Sequence, residues 1–293
     1  MKRKFPGLVI GIMLITLACG SVTSPALDQN KVETIVAATL QTVTINAPTA
    51  APTAQSGIPV SYQNVSFIIP EGLASGAIGE VIAAATEENG APWDAAPEHI
   101  QFTFNGYIST GKFSAITIKV FPAREYSDKF PGAAFSIQNL QAILASPSAQ
   151  LTKDALPNVP YFNAAQMFAA QVQRIDFASG SGLRTVTQYG QAVGPVTNNG
   201  VFYHFQGLTG DGKYYVVVVL PVGSPLLVSG EGENEPVPAG GVTFPGYTTL
   251  DPVDYESYFQ SVTDNLNASG PDSFSPSLTK LDELIQSITV SSQ

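Results

Sequence analysis

Residues 201–222, VFYHFQGLTGDGKYYVVVVLPV, restrict the fold more than any other stretch of the chain. Two arms of aromatic and β-branched residues flank Leu208, Thr209, Gly210, Asp211 and Gly212. Asp-Gly supplies the positive φ that a tight turn demands, so the run reads as one β-hairpin. In its second arm Tyr214, Val216, Val218 and Leu220 face one way, and Tyr215, Val217 and Val219 face the other. A strand that is apolar on both faces must be covered on both. It is expected at the centre of a sheet.

The segments around this hairpin supply its neighbours. Residues 60–69 read as a strand stopped by Pro70, and 79–86 suit a strand or a helical turn. Residues 99–106 and 113–121 alternate well and read as a hairpin. The period then changes. Phe135, Leu140, Ile143 and Leu144 predict a helix over 133–145, ended by Ser146-Pro147. The spacing from Asn163 to Gln166 resembles a capping box and predicts a helical turn. Residues 169–178 alternate as a strand, 179–182 read as a turn, and 183–193 as the next strand.

Residues 229–246 are rich in Gly, Pro and Glu and read as a surface excursion. Asp251-Pro252 then opens a helix with a capping Asp and a proline in its first turn. Its stripe is Tyr255, Tyr258, Phe259, Val262 and Leu266. A last helix carries Leu278, Leu281, Leu284 and Ile285, and 288–290 can add an edge strand. The expected fold is α+β, a central antiparallel sheet with helices packed on it. It occupies 58–293 as a single domain, with two related halves as the alternative.

The amino terminus has a different character. Lys2, Arg3 and Lys4 precede an apolar run over 5–18, and Cys19 follows directly. A run of about 14 residues is short for a membrane span, which needs about 20, and suits an export signal. Ala18-Cys19 at its end resembles the bacterial lipoprotein signal, although Thr16 stands where that family usually has Leu. The resemblance implies cleavage after residue 18 and acylation of Cys19, so that several acyl chains hold the protein on a membrane. Residues 19–57 then form a stalk. Within it 27–44 have helical spacing, and 46–57, NAPTAAPTAQSG, read as a semi-extended linker.

Three further segments carry a second resemblance. They are 163–191, NAAQMFAAQVQRIDFASGSGLRTVTQYGQ; the hairpin from Phe202; and LTKLDELIQSITV from Leu278. With VETIVAATL and the Pro/Thr-rich stalk, they resemble a group of uncharacterised bacterial envelope lipoproteins. That group has no assigned activity, so no catalytic residue carries over.

Composition excludes some functions. The formal net charge is −10, and becomes −13 without the three cations of the signal. No basic cluster follows residue 4, so a phosphate backbone would be repelled and nucleic acid is not an expected partner. The lone Cys19 allows no intrachain disulfide and no cysteine-based zinc cluster.

Motifs for chemistry are sparse. His99 and His204 are the only histidines, and no Gly-x-Ser-x-Gly elbow, phosphate loop, His-Glu-x-x-His or dinucleotide fingerprint occurs. His204, with a Ser and either Asp176 or Asp211, is the candidate base of a hydrolase. Otherwise it is a packing residue, and His99 is expected at the surface. Arg174, Arg184 and Asp176 are expected to form an ion pair by the sheet. Asp282-Glu283 read as a solvated face. Glu231, Glu233 and Glu235 could gather oxygens for calcium, although they lack the order of a calcium loop. Tyr161, Phe162, Tyr247, Tyr255 and Tyr258 are candidates for an aromatic groove that takes a glycan, a peptide or a protein.

The leading expectation is an extracytoplasmic, lipid-anchored protein that binds a ligand or an envelope partner without catalysis and without a cofactor. The alternatives are a hydrolase built on His204 and a structural spacer with no ligand.

Overall fold

The computed structural model describes residues 56–86, 88, 91–108, 116–146, 151–232, 235–248 and 251–292. Residues 1–55, which hold the expected export signal, Cys19 and most of the expected stalk, lie outside the described residues. Among the described residues no helix is long and apolar enough to cross a membrane.

The fold is α+β. Its centre is a seven-stranded antiparallel sheet. In chain order its strands are β3 (Gly76–Ile82), β4 (His99–Asn105), β5 (Thr117–Pro122), β7 (Ala170–Phe177), β8 (Gly180–Thr187), β10 (Phe202–Thr209) and β11 (Tyr214–Pro221). In space they run β3-β4-β5-β11-β10-β8-β7, so β11 is the fourth of the seven. Strands β1 (Gly57–Tyr62), β2 (Val65–Pro70) and β12 (Thr289–Val290) make a three-stranded sheet, and β6 (Ala165–Gln166) pairs with β9 (Tyr189–Gly190). The helices are α1 (Ala123–Lys129), α2 (Pro131–Ala145), α3 (Pro252–Ala268) and α4 (Leu278–Gln286).

The two faces of β11 explain the layers. Val216, Val218 and Leu220 join a core with β2, α3 and α4, while Tyr215 and Val217 join a second core with α1 and α2. Both sets are buried, as expected for a strand that is apolar on each side. The turn holds as its sequence suggests. Asp211 Oδ1 accepts from Thr209 Oγ1 at 2.7 Å and from the Lys213 amide at 3.0 Å, and Gly212 adopts φ 70°. Glycines in β8 and β10 leave room for rings packed against the sheet. A Cβ at Gly207 would meet Phe205 at 2.7 Å and Phe177 at 2.8 Å, the two rings that contact edge-to-face at 5.9 Å.

Several expectations fail locally. Residues 60–69 are not one strand but parts of β1 and β2, reversed at Gln63-Asn64, where Gln63 takes φ 52°. The 163–166 segment does not start a helix. Gln166 donates to Thr187 Oγ1 at 3.2 Å, and Ala165 and Gln166 pair with β9. Gly180 and Gly182 belong to β8 rather than to a turn, and the strand expected over 183–193 ends at Thr187. Helix α1 was not signalled by any apolar period.

At the sheet edge, a bulge between Ala170 and Gln173 places Gln171 at φ 54°. Its side-chain amide then donates to Leu266 O at 2.7 Å and Ser269 O at 3.0 Å, satisfying carbonyls at the end of α3.

Candidate functional site

The candidate site is a cavity of about 260 Å³ between the 228–248 loop and α3. It forms because α3 starts where the sequence places it. Asp251 Oδ1 caps the helix by accepting from the Val253 amide at 2.9 Å, with Pro252 in the first turn. Tyr258, Val262 and Leu266 then point into the core. Tyr258 has a second task, since its phenol oxygen accepts from the buried Val196 amide at 2.9 Å. Burial holds the phenol above its ordinary range, so the hydroxyl stays protonated.

The loop is pinned at several points. Asn198 donates to the carbonyls of Ser224 and Leu227 at 3.1 and 3.0 Å, and Asn265 Nδ2 reaches Gly240 O at 2.9 Å. Gly246, at φ 90°, turns the chain so that its carbonyl accepts from Tyr255 OH at 3.1 Å. These ties bring Phe244 into the middle of three tyrosines. Its ring centroid lies 5.2 Å from Tyr247, 5.3 Å from Tyr258 and 5.9 Å from Tyr255. Val228, Val237 and Val242 supply the aliphatic wall, and Glu231 and Glu235 are the charged residues of the lining.

The structure therefore unites two sets of residues that the sequence offered for different reasons. Tyr247 and Tyr258 line one cavity with Glu231 and Glu235, and Tyr255 stacks on its central ring. Glu233 lies outside the described residues. Among the described residues no group of three or more His, Cys, Asp or Glu side chains gathers as metal ligands. Phe244 was missed from sequence, although the Phe-Pro-Gly-Tyr spacing before α3 marks it.

The other aromatic candidates lie elsewhere. Tyr161 covers Lys119, whose ammonium sits 4.2 Å from the ring centroid, and Phe162 packs edge-to-face on Phe202. Both belong to the α1–α2 side of the sheet.

His204 is buried in the sheet, with burial pushing its pKa down to about 3. Its Nε2 lies 3.0 Å from Gln206 Nε2, which also donates to the carbonyls of Pro157 and Asn158. Since that amide nitrogen can only donate, the imidazole accepts and is neutral. Gln206 Oε1 in turn accepts from Tyr215 OH. Among the described residues neither a serine nor a carboxylate bonds to His204. Asp211 is engaged at the hairpin turn, and Asp176 sits opposite Ser181 in β7. The arrangement a hydrolase needs is not assembled there.

His99 is not at the surface. It is buried, its ring lies 4.3 Å from that of Phe121, and its Nδ1 is 2.9 Å from Pro97 O. Burial holds its pKa down at about 4.

The expected Arg174, Arg184 and Asp176 group is also rearranged. Arg184 pairs with Asp282 of α4 at 2.9 Å and is buried. Arg174 instead donates to Ile143 O at 2.9 Å and Ser146 O at 2.6 Å, a cation at the C-terminal end of α2. Asp282 is therefore no part of a solvated face. Burial pushes its carboxyl up, while Arg184 and the Tyr203 hydroxyl pull it back.

A larger groove, of about 1000 Å³, runs between β7, the 151–154 segment and α3. It is more open than the Phe244 cavity, and the polar groups at its β7–β8 wall are engaged. Arg184 serves Asp282, Gln173 and the Gln171 carbonyl, and Gln171 caps α3. The smaller cavity is the better candidate because aromatic rings, aliphatic side chains and two glutamates line one concave space.

Comparison with protein-family models, with curated proteins and with solved structures found no match for this chain.

Proposed function

We propose that this chain is a lipid-anchored, extracytoplasmic binding protein that takes a small ligand in the Phe244 cavity. The observation that carries the binding half is the confined aromatic cavity with two glutamates at its wall, built on a helix fixed to the core. Concave sites of this kind, apolar with a few polar groups, are where small molecules bind. The anchoring half rests on the sequence alone, on Cys19 after the apolar run and on the stalk that follows.

Each half has its own test. Fatty-acid labelling in a bacterial host is expected to mark the full chain and to vanish in Cys19→Ala. A Cys19→Ala chain that still takes up label would overturn the anchor. For binding, the detergent-solubilised full chain is heated with sugars, short peptides and amines. Val237→Trp blocks the cavity from an exposed position. A true ligand at about 100 times its Kd adds roughly 2.7 kcal/mol to stability. The unblocked chain should gain that stability and Val237→Trp should not. If no class of compound stabilises, or Val237→Trp responds equally, the cavity is not a binding site and a spacer is the better reading.

A further inference from the structure

Resting on the binding reading above, we propose that the Phe244 cavity selects a small alkylammonium cation, a quaternary or protonated amine of about the size of choline.

Charge is the first ground. Glu231 and Glu235 line the cavity, and no Lys, Arg or His does so among the described residues. The whole chain adds a formal net charge of −10 to that local bias. An anion would meet repulsion with no compensating donor cation, whereas a cation is drawn in.

Ring geometry is the second. Phe244 meets Tyr247 at 61° and Tyr258 at 76°, which forms a corner of ring faces and edges. Tyr255 is the one near-parallel neighbour, at 29°, and it covers one face of Phe244. A sugar stacks on a flat, open ring face, and the Tyr255 stack takes such a face away. A cornered set of rings suits a rounded cation, attracted by the negative ring faces.

Size is the third. The cavity holds about 260 Å³, just under the usual range for drug-sized ligands, roughly 300–1,000 Å³. It is well above the roughly 30 Å³ of one water. A head group of a few heavy atoms fits, and an oligosaccharide or a nucleotide does not.

The test is calorimetric titration of the full chain, held in a maltoside detergent, with choline and with tetramethylammonium. Its key control is 3,3-dimethylbutan-1-ol, which has the shape of choline without the charge. Choline is expected to bind at least about tenfold more tightly than this neutral isostere. Glu235→Gln and Phe244→Leu should each weaken choline about tenfold. Both should keep the parent's melting temperature to within a few degrees. If Phe244→Leu melts early, Glu235→Gln and the isostere still decide the question. Phosphocholine, the form of this group in a lipid head, should bind more weakly than choline, because its phosphate would face Glu231 and Glu235.

Equal binding of choline and its isostere would overturn the inference, as would tighter binding of phosphocholine. Glucose or a peptide binding in a way that Val237→Trp abolishes would leave the binding reading standing and refute the cation. No binding by any of these probes would refute both.

Discussion

The β10–β11 hairpin and the 228–248 loop divide the work of this molecule. The hairpin is buried from Phe202 to Leu208 and from Tyr215 to Pro221, and its arms face two separate cores. Among its described residues the loop has no helix or strand, and side chains such as Tyr247, 49% exposed, stand at its surface. Yet the loop holds the aromatic cavity, while the hairpin's polar groups are satisfied by one another and by neighbouring segments. Burial satisfied by neighbours makes a spine, and side chains gathered around a small concavity make a site. The histidine on the spine is thus less promising than glutamates in a loop.

Changes in the spine should cost stability, and changes in the loop should cost binding. The largest effect is expected from Phe205→Ala. That ring is fully buried against Phe177, and its loss should destabilise by about 3–5 kcal/mol in urea unfolding. The variant should still bind the cavity ligand where it remains folded.

Next comes acid. The pKa of His204 is depressed to about 3 and that of His99 to about 4, against about 6.5 in the unfolded chain. Between these values the unfolded chain binds more protons, so stability rises with pH there. The contribution is complete above about pH 6.5 and is lost as pH falls toward the folded values. His204 alone should cost about 2 kcal/mol between pH 6.5 and pH 5, seen as a steep acid limb that His204→Leu flattens.

Tyr258→Phe should have a smaller effect, about 1–2 kcal/mol, by leaving the buried Val196 amide without its acceptor. It also meets Phe244 in the cavity and should weaken ligand binding as well. Smallest of all, Glu235→Gln should change stability by less than about 0.5 kcal/mol while it weakens binding. A Glu235→Gln chain that unfolds early would show that the loop is structural after all.

What the sequence disclosed follows the same division. The hairpin, the capped start of α3, the stripe of α4 and the edge strand β12 were legible because local period and turn chemistry decide them. The β1–β2 reversal was hidden, since Gln63-Asn64 interrupts the apolar pattern for only two residues. The 163–166 segment misled, because a capping-box spacing carries no information about whether β9 is available to pair. Arg184 found Asp282 rather than Asp176 because α4 packs against β7 and β10, the strands on either side of β8, which no local signal reports. The cavity was half legible. Its tyrosines and glutamates were each marked, but their meeting around Phe244 depends on ties such as Asn265 to Gly240, which only the folded chain makes.

The most direct test is amide hydrogen exchange of the full chain with and without saturating choline. Slowed exchange is expected across 228–248 and at Val196, with the β10–β11 amides unchanged. Slowing confined to the groove beside β7, or no slowing in 228–248, would contradict the placement of the site.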